Sequence, residues 1–300
     1  MKNLSVFQAI RGHLETLGPY FFRRVQLPES EKAEIPTADG DFLDAEIWSG
    51  RGKEWIILTH GLEGSTQAVY IRAAAKHFLS QGKNVLGWNF RSCSGRLNRN
   101  PRLYHSGAYE DLADVIDFIY QHHKPDAISP VGFSLGGNLS LLFLAKMPFE
   151  WLESRKVKSG MAISVPLNLA ASSKKLEHWH NLPYTYRFLE DLKSKIRLKS
   201  SQFPEFFDTG RLSDCHSVRI FDDQFTAPIH GFKDAADYYR QCSSLFLLKG
   251  IRIPTKIILA ENDPMLARGN YPGLENLNPL VTIEIRKNGG HCGFWGQNIF

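Results

Sequence analysis

A chain of 300 residues with 43% apolar and 22% charged content has the make-up of a folded globular protein, enough for one large α/β domain or two small ones. Its net charge of +5 comes with no basic repeat and no nucleic-acid-binding motif, which argues against a nucleic-acid partner. The four cysteines, Cys93, Cys215, Cys242 and Cys292, are scattered without a CxxC or a metal-type pairing with histidine.

MKNLSVFQAIRGHLETLGPYFFRRV at the N-terminus has no apolar leader, and no apolar run approaches the ~18 residues of a spanning helix. A reducing, cytoplasmic setting is expected. AEIPTADGDFLDAEIWSG predicts two short strands around an Asp-Gly turn. EWIILT reads as a buried strand, QAVYIRAAAKHFLSQGK as a helix closed by Gly82, and NVLGWNF as the next strand. GAYEDLADVIDFIYQHH places Leu112, Val115, Ile116 and Ile119 at helical spacing. ISPVGF and KSGMAISV are strands separated by the LSLLFLAKM helix, and TKIILA and VTIEIR follow much later.

Apolar strands without polar alternation, separated by helices, imply a mostly parallel, doubly wound sheet covered on both faces. The alternation stops between Ser164 and Pro254, in a stretch rich in aromatic and charged helix formers. Residues 165–253 are therefore expected as a helical cap inserted into a core built from residues 1–164 and 254–300. Residues 151–200 carry ten Lys or Arg against four Asp or Glu. That basicity would suit an anionic substrate or lipid surface, and a solvated helical face is the simpler reading.

ISPVGFSLGGN delivers Ser134, bracketed by Gly132 and Gly136, from a buried strand straight into a helix. Residues without a Cβ let strand and helix pass closely around a strained turn, so the serine stands at the carboxyl edge of the sheet as a nucleophile elbow. A serine needs a base, and the base needs an orienting acid. In this architecture both follow the serine in the order acid, then histidine, each just after a strand. Asp263 in IILAENDPM and His291 in IEIRKNGGHCGF meet that order, with Glu261 a weaker rival for the acid. The oxyanion donors are expected to be the backbone N–H of Leu135 and, from THGLEGS after the early strand, that of Leu62. His60 beside that turn suits a structural hydrogen bond.

THGLEGS, NFRSCSG with PRLYHSG, VGFSLGGN and FDDQFTAPIHGFKDAADYY together resemble the YheT/ABHD-type branch of the α/β-hydrolase superfamily. GHLETLGPYFFRR is similar to that branch's N-terminal signature, so the likeness runs from about His13 to Phe294. It implies an α/β-hydrolase fold and a carboxylic-ester hydrolase with a Ser134–Asp263–His291 triad. The branch usually has Gln in place of Glu15 and Gly in place of Ser92, differences read as matters of packing. Its members continue for a further helix after the histidine, whereas this chain stops nine residues beyond His291. A mobile His291 loop and low activity are therefore expected. Some members carry an acyltransferase-like His-x4-Asp motif; here Glu110 stands at that spacing from His105, with Asp111 one residue late, and His105 is read as structural. Asp222 and Asp223 of FDDQFTAP are read as a helix cap and cap-to-core contacts. His178 and His180 lack a third metal ligand and read as polar cap surface.

The expected activity is that of a serine esterase acting through an acyl-enzyme on esters of apolar acyl groups, short- to medium-chain or lipid-like. The aromatic side chains of the cap region, Trp151, Trp179, Tyr184, Tyr186, Phe188, Phe203, Phe206 and Phe207, favour such a substrate, although most are expected to be core. An alcohol acyltransferase using the same triad, or a weakly active or inactive binding protein on this fold, remain alternatives. The chemistry calls for a small-molecule ester and for no metal or organic cofactor. A peripheral membrane or lipid contact is left open, as is the oligomeric state.

Overall fold

A computed structural model describes residues 5–267, 271, 278–297 and 299. In chain order the elements are α1 (Val6–Phe22), β1 (Glu31–Pro36), β2 (Phe42–Trp48), β3 (Glu54–Thr59), α2 (Val69–Ser80), β4 (Asn84–Trp88), α3 (Tyr109–His123), β5 (Ala127–Phe133), α4 (Leu135–Lys146), α5 (Phe149–Ser154) and β6 (Gly160–Ile163). Then come α6 (Leu169–Leu176), α7 (Leu182–Ser200), α8 (Val218–Phe221), a π-helical turn over Asp222–Thr226, α9 (Ala227–Ile229), α10 (Ala235–Cys242), β7 (Thr255–Ala260) and β8 (Val281–Arg286).

The strands form one eight-stranded sheet in the order β1-β2-β4-β3-β5-β6-β7-β8. β1 and β2 pair antiparallel around the Asp39-Gly40 turn, where Gly40 adopts φ +79°. β2 joins β4 antiparallel, and every later pairing is parallel. Helices cover both faces. Along β3, Trp55 and Ile57 enter one apolar cluster with Leu112, Val115, Ile116 and Ile119 of α3, while Ile56 and Leu58 enter a second with Ile71 and Phe78 of α2. Successive side chains of a strand point to opposite faces, so a strand buried on both sides must be apolar throughout.

β3 pairs with β4 on one edge and β5 on the other, so the chain reverses its winding direction beside β3. Open α/β sheets bind ligands in the crevice at such a reversal, beyond the carboxyl ends of the strands. Here Thr59 is in register with Gly132, which sets the turn after β3 against the turn after β5. Behind that point α4 is buried from Leu135 to Leu144, and its side chains are apolar nearly all round, as a helix enclosed by sheet and neighbours requires.

Between β6 and β7 the chain is helical, without a strand, and has its own apolar centre where Leu189, Leu192 and Ile196 of α7 meet Phe207, Phe221 and Phe225. Its basic residues do not all lie on a solvated face. The half-buried Lys195 pairs with Glu63 at 2.6 Å, and the fully buried Lys199 donates to the carbonyl oxygens of Asn98 and Asn100, each at 2.6 Å. Among the described residues no helix is long and apolar enough to cross a membrane.

Candidate active site

Ser134 lies between β5 and α4 at φ +52°, ψ −124°, a backbone conformation that non-glycine residues rarely adopt. The surroundings force it. A Cβ on Gly132 would stand 2.2 Å from the Gly136 carbonyl oxygen, and one on Gly136 would stand 2.3 Å from that of His60. Ser134 N–H donates to Ile163 O of β6 at 2.8 Å, tying the turn to the next strand.

Two segments far along the chain complete the arrangement. Asp263 follows β7 and is buried; its Oδ1 accepts the N–H groups of Met265 at 2.9 Å and Leu266 at 3.3 Å, which aims Oδ2 at the imidazole. His291 follows β8, with Nδ1 2.8 Å from Asp263 Oδ2 and Nε2 2.8 Å from Ser134 Oγ. Nδ1–H donating to the carboxylate leaves Nε2 to accept the serine hydroxyl. Burial disfavours the charged ring, yet the Asp263 carboxylate outweighs it and holds the His291 pKa well above its ordinary value. The imidazole's carboxylate partner is Asp263, not Glu261.

The turn after β3 stands beside the serine: a Cβ on Gly61 would be 3.0 Å from Ser134 Cβ. The Leu62 N–H has no protein acceptor among the described residues. Leu135 opens α4, so its N–H is one of the donors that a helix cannot satisfy internally. His60 is fully buried and neutral, its pKa lowered to about 3 by burial. Its Nε2 accepts the Phe90 N–H at 3.0 Å and its Nδ1–H donates to Gly61 O at 2.7 Å, a brace for the turn. Glu63 next along has φ +52° and is gripped through its carboxylate by Tyr104 Oη at 2.5 Å and Lys195 Nζ at 2.6 Å.

Ser134 and His291 stand where an outer chamber of about 570 Å³ meets an inner recess of about 110 Å³. His13, Leu17, Tyr20, Tyr184 and Phe188 line the chamber. The recess is walled by Leu135, Leu169, Leu192 and Leu266, and also by His105, Ser106 and Asp222. Of the eight aromatic residues named from the sequence, Tyr184 and Phe188 reach these spaces, and Tyr238 and Tyr239 of α10 also line the recess; Phe203 and Phe207 pack inside the cap, and Trp151, in α5 ahead of the cap, packs edge-on against Phe143. Trp179, Tyr186 and Phe206 are exposed.

Sequence reasoning missed the part played by α1. Thr16 Oγ1 accepts the His291 N–H at 2.8 Å, and Glu15 Oε2 accepts the Gly289 N–H and Asn262 Nδ2–H, each at 2.8 Å. Asn262 Oδ1 in turn accepts the Gly290 N–H at 3.1 Å, and Ser164 Oγ accepts the Cys292 N–H at 3.0 Å. Glu15 is therefore a clasp between the acid loop and the histidine loop rather than a packing variant, and the His291 loop is fastened on both sides, against the expectation of a loosely held one. The readable signal was the capping box Ser5-x-x-Gln8 that opens α1.

Ser92 adopts φ +62°, a backbone conformation that favours glycine, so its difference from the expected glycine is one of backbone geometry, and its hydroxyl donates to Asn98 Oδ1 at 2.6 Å. His105 lines the recess and accepts the Gly107 N–H, while Asp111 is bound by Arg91 at 2.7 and 3.0 Å and Glu110 is exposed, so no His-x4-Asp pair forms. Asp223 Oδ1 accepts the Ala235 N–H at 3.0 Å, a contact within the cap. Asp222 faces the recess; burial raises its carboxyl to about 6, against hydrogen bonds from Tyr239 Oη at 2.6 Å and Thr226 Oγ1 at 2.7 Å. The π-turn places it there, a distortion common at functional positions. His180 lies at the chamber wall beside His13, with ring centroids 5.6 Å apart.

Residues 54–297 match the family described as the alpha/beta hydrolase fold. The chain is 35% identical over 96% of its length to the protein YheT of Escherichia coli K12, of which it covers 85%. It is 27% identical over 87% of its length to phospholipase ABHD3 of Mus musculus, and spans 65% of that longer protein. In shape it is similar to the Pyrococcus furiosus esterase Pf2001, with a TM-score of 0.58 over 90% of this chain and 89% of that one; at 17% identity this speaks to the fold alone. Taken with the sheet order and the Ser134 turn, these matches establish that the chain belongs to the α/β-hydrolase family, in its YheT/ABHD-type branch.

Proposed function

We propose that the protein is a carboxylic-ester hydrolase that works through an acyl-enzyme on Ser134. His291 Nε2 takes the hydroxyl proton as Oγ attacks the ester carbonyl. Asp263 holds the ring in the required tautomer and stabilises the imidazolium that forms. The carbonyl oxygen becomes an oxyanion received by the N–H groups of Leu62 and Leu135. Collapse breaks the acyl–oxygen bond, and His291 returns the proton to the departing alcohol. Water, deprotonated by the same nitrogen, then attacks the acyl group and releases the free acid and Ser134.

The observation that carries this reading is the pair of 2.8 Å contacts that His291 makes, one to Ser134 and one to Asp263. The name of the mouse relative, a phospholipase, supports an ester substrate. Leucine-rich walls around the inner recess support an apolar acyl group. The outer chamber leaves room for the alcohol part.

Labelling with a fluorophosphonate tests the reading directly. Wild type is expected to label within minutes and Ser134→Ala not at all, with hydrolysis of p-nitrophenyl esters lost in parallel. A folded wild type that neither labels nor hydrolyses any chain length would remove the proposal.

A further inference from the structure

Helix α1 is amphipathic in the wrong sense for a helix that simply packs. Its buried residues are Gly12, Glu15, Gly18 and Pro19, the side that meets the Asp263 and His291 loops. Its outward side carries Phe7, Ile10, Leu14, Leu17 and Phe21, each between 40% and 72% exposed and recurring every three or four residues. A surface helix ordinarily turns such a stripe inward. A contiguous apolar strip left outside marks an interaction site.

Charge and position say what covers it. Across α1 and the two residues after it the acidic residue is Glu15, which is buried and paired with Arg11. With Glu15 offsetting Arg11, the net charge there is positive through Arg23 and the exposed Arg24. Apolar and aromatic side chains flanked by arginine alone fit the boundary of an anionic bilayer. A second copy seated on the same stripe would set arginine against arginine with no carboxylate to answer it. The strip is also continuous with the mouth of the outer chamber, since Leu17 and Tyr20 line that chamber. Further rings lie around the same region. Trp295 stacks on Phe22 at 6.2 Å and is 49% exposed, while Trp179, 80% exposed, packs on His180 of the chamber wall. Tryptophan side chains settle where one end can be apolar and the other wet.

We propose that the outward face of α1 is a docking surface for an anionic lipid bilayer, on which the helix lies in the plane of the interface and turns the chamber mouth toward the lipid. This goes beyond the esterase reading, because docking requires neither Ser134 nor turnover.

The test is co-sedimentation of the full chain with vesicles of phosphatidylcholine alone and of phosphatidylcholine with phosphatidylglycerol. Binding is expected on the anionic vesicles, weakened by high salt. The triple substitution Phe7→Glu, Ile10→Glu, Leu14→Glu lies wholly on exposed positions. It should cut the bound fraction about tenfold or more while leaving the thermal unfolding midpoint unchanged. Arg24→Glu should weaken binding to anionic vesicles specifically. Absence of wild-type binding to either vesicle would overturn the proposal. So would a wild-type dimer in sedimentation velocity that the triple substitution dissociates, with no vesicle binding, because that result assigns the face to a second copy. Neither outcome bears on labelling of Ser134, so this idea and the esterase reading can fail separately.

Discussion

His291 is the residue on which the proposed chemistry turns, and its environment makes a prediction about pH. The neutral ring is the base, so kcat/KM should rise with pH as the imidazolium loses its proton. Because the Asp263 carboxylate stabilises the imidazolium, that rise should lie above the ordinary histidine value near 6.5. Asp263→Asn removes the stabilising charge, so the acid limb should move to lower pH while the rate falls by roughly 10³–10⁴-fold. A pH–rate profile of p-nitrophenyl ester hydrolysis checks both signs; an acid limb unmoved by Asp263→Asn would mean another group controls it. At this scale Ser134, Asp263 and His291 were legible in the sequence, because a glycine-flanked turn and the ends of two apolar strands are local signals. Glu15 was not legible as a clasp. A single acidic residue on a helix carries no mark of the two loops that its carboxylate will meet.

Among the elements, α1 holds the histidine loop, and its grip can be measured. Thr16→Val keeps the shape of the side chain but deprives the part-buried His291 N–H of its acceptor, at a cost of about 1 kcal/mol. Hydrogen exchange should show the amides of Gly289, Gly290, His291 and Cys292 protected in wild type, with His291 exchanging faster in Thr16→Val. The rate of ester hydrolysis should fall with little change in KM and in the pH at which activity rises, because the side chain acts through position and not through charge. Equal exchange at His291 in the two proteins would show that the loop draws its order from elsewhere. Strands and core helices were readable element by element: α3 buries Leu112, Val115, Ile116 and Ile119 as their spacing requires. The two inward-facing cations of α7 were not, since Lys195 and Lys199 look like any basic helical face until the chain segments holding Glu63 and Asn98 come against them.

For the whole molecule, the Lys195–Glu63 pair is the point where the cap grips the turn that presents Leu62. Both side chains are largely withdrawn from water, at 13% and 3% exposure, so removing one strands the charge of the other. Lys195→Met should destabilise by about 3–5 kcal/mol. The double variant Glu63→Gln, Lys195→Met should cost less than the sum of the single ones. Urea midpoints for the four proteins complete the cycle, and strict additivity would deny the coupling. The sequence by itself determined the class of fold, the winding of the sheet and the order serine, acid, histidine, because hydrophobic period and turn chemistry are properties of short segments. Only the tertiary structure decided that Glu15 clasps the acid and histidine loops, that cap aromatics mostly miss the cavity, and that α1 turns its apolar side outward. Those outcomes depend on residues as far apart as Thr16 and His291, 275 positions along the chain, and their meeting is a property of the closed sheet and its packed helices.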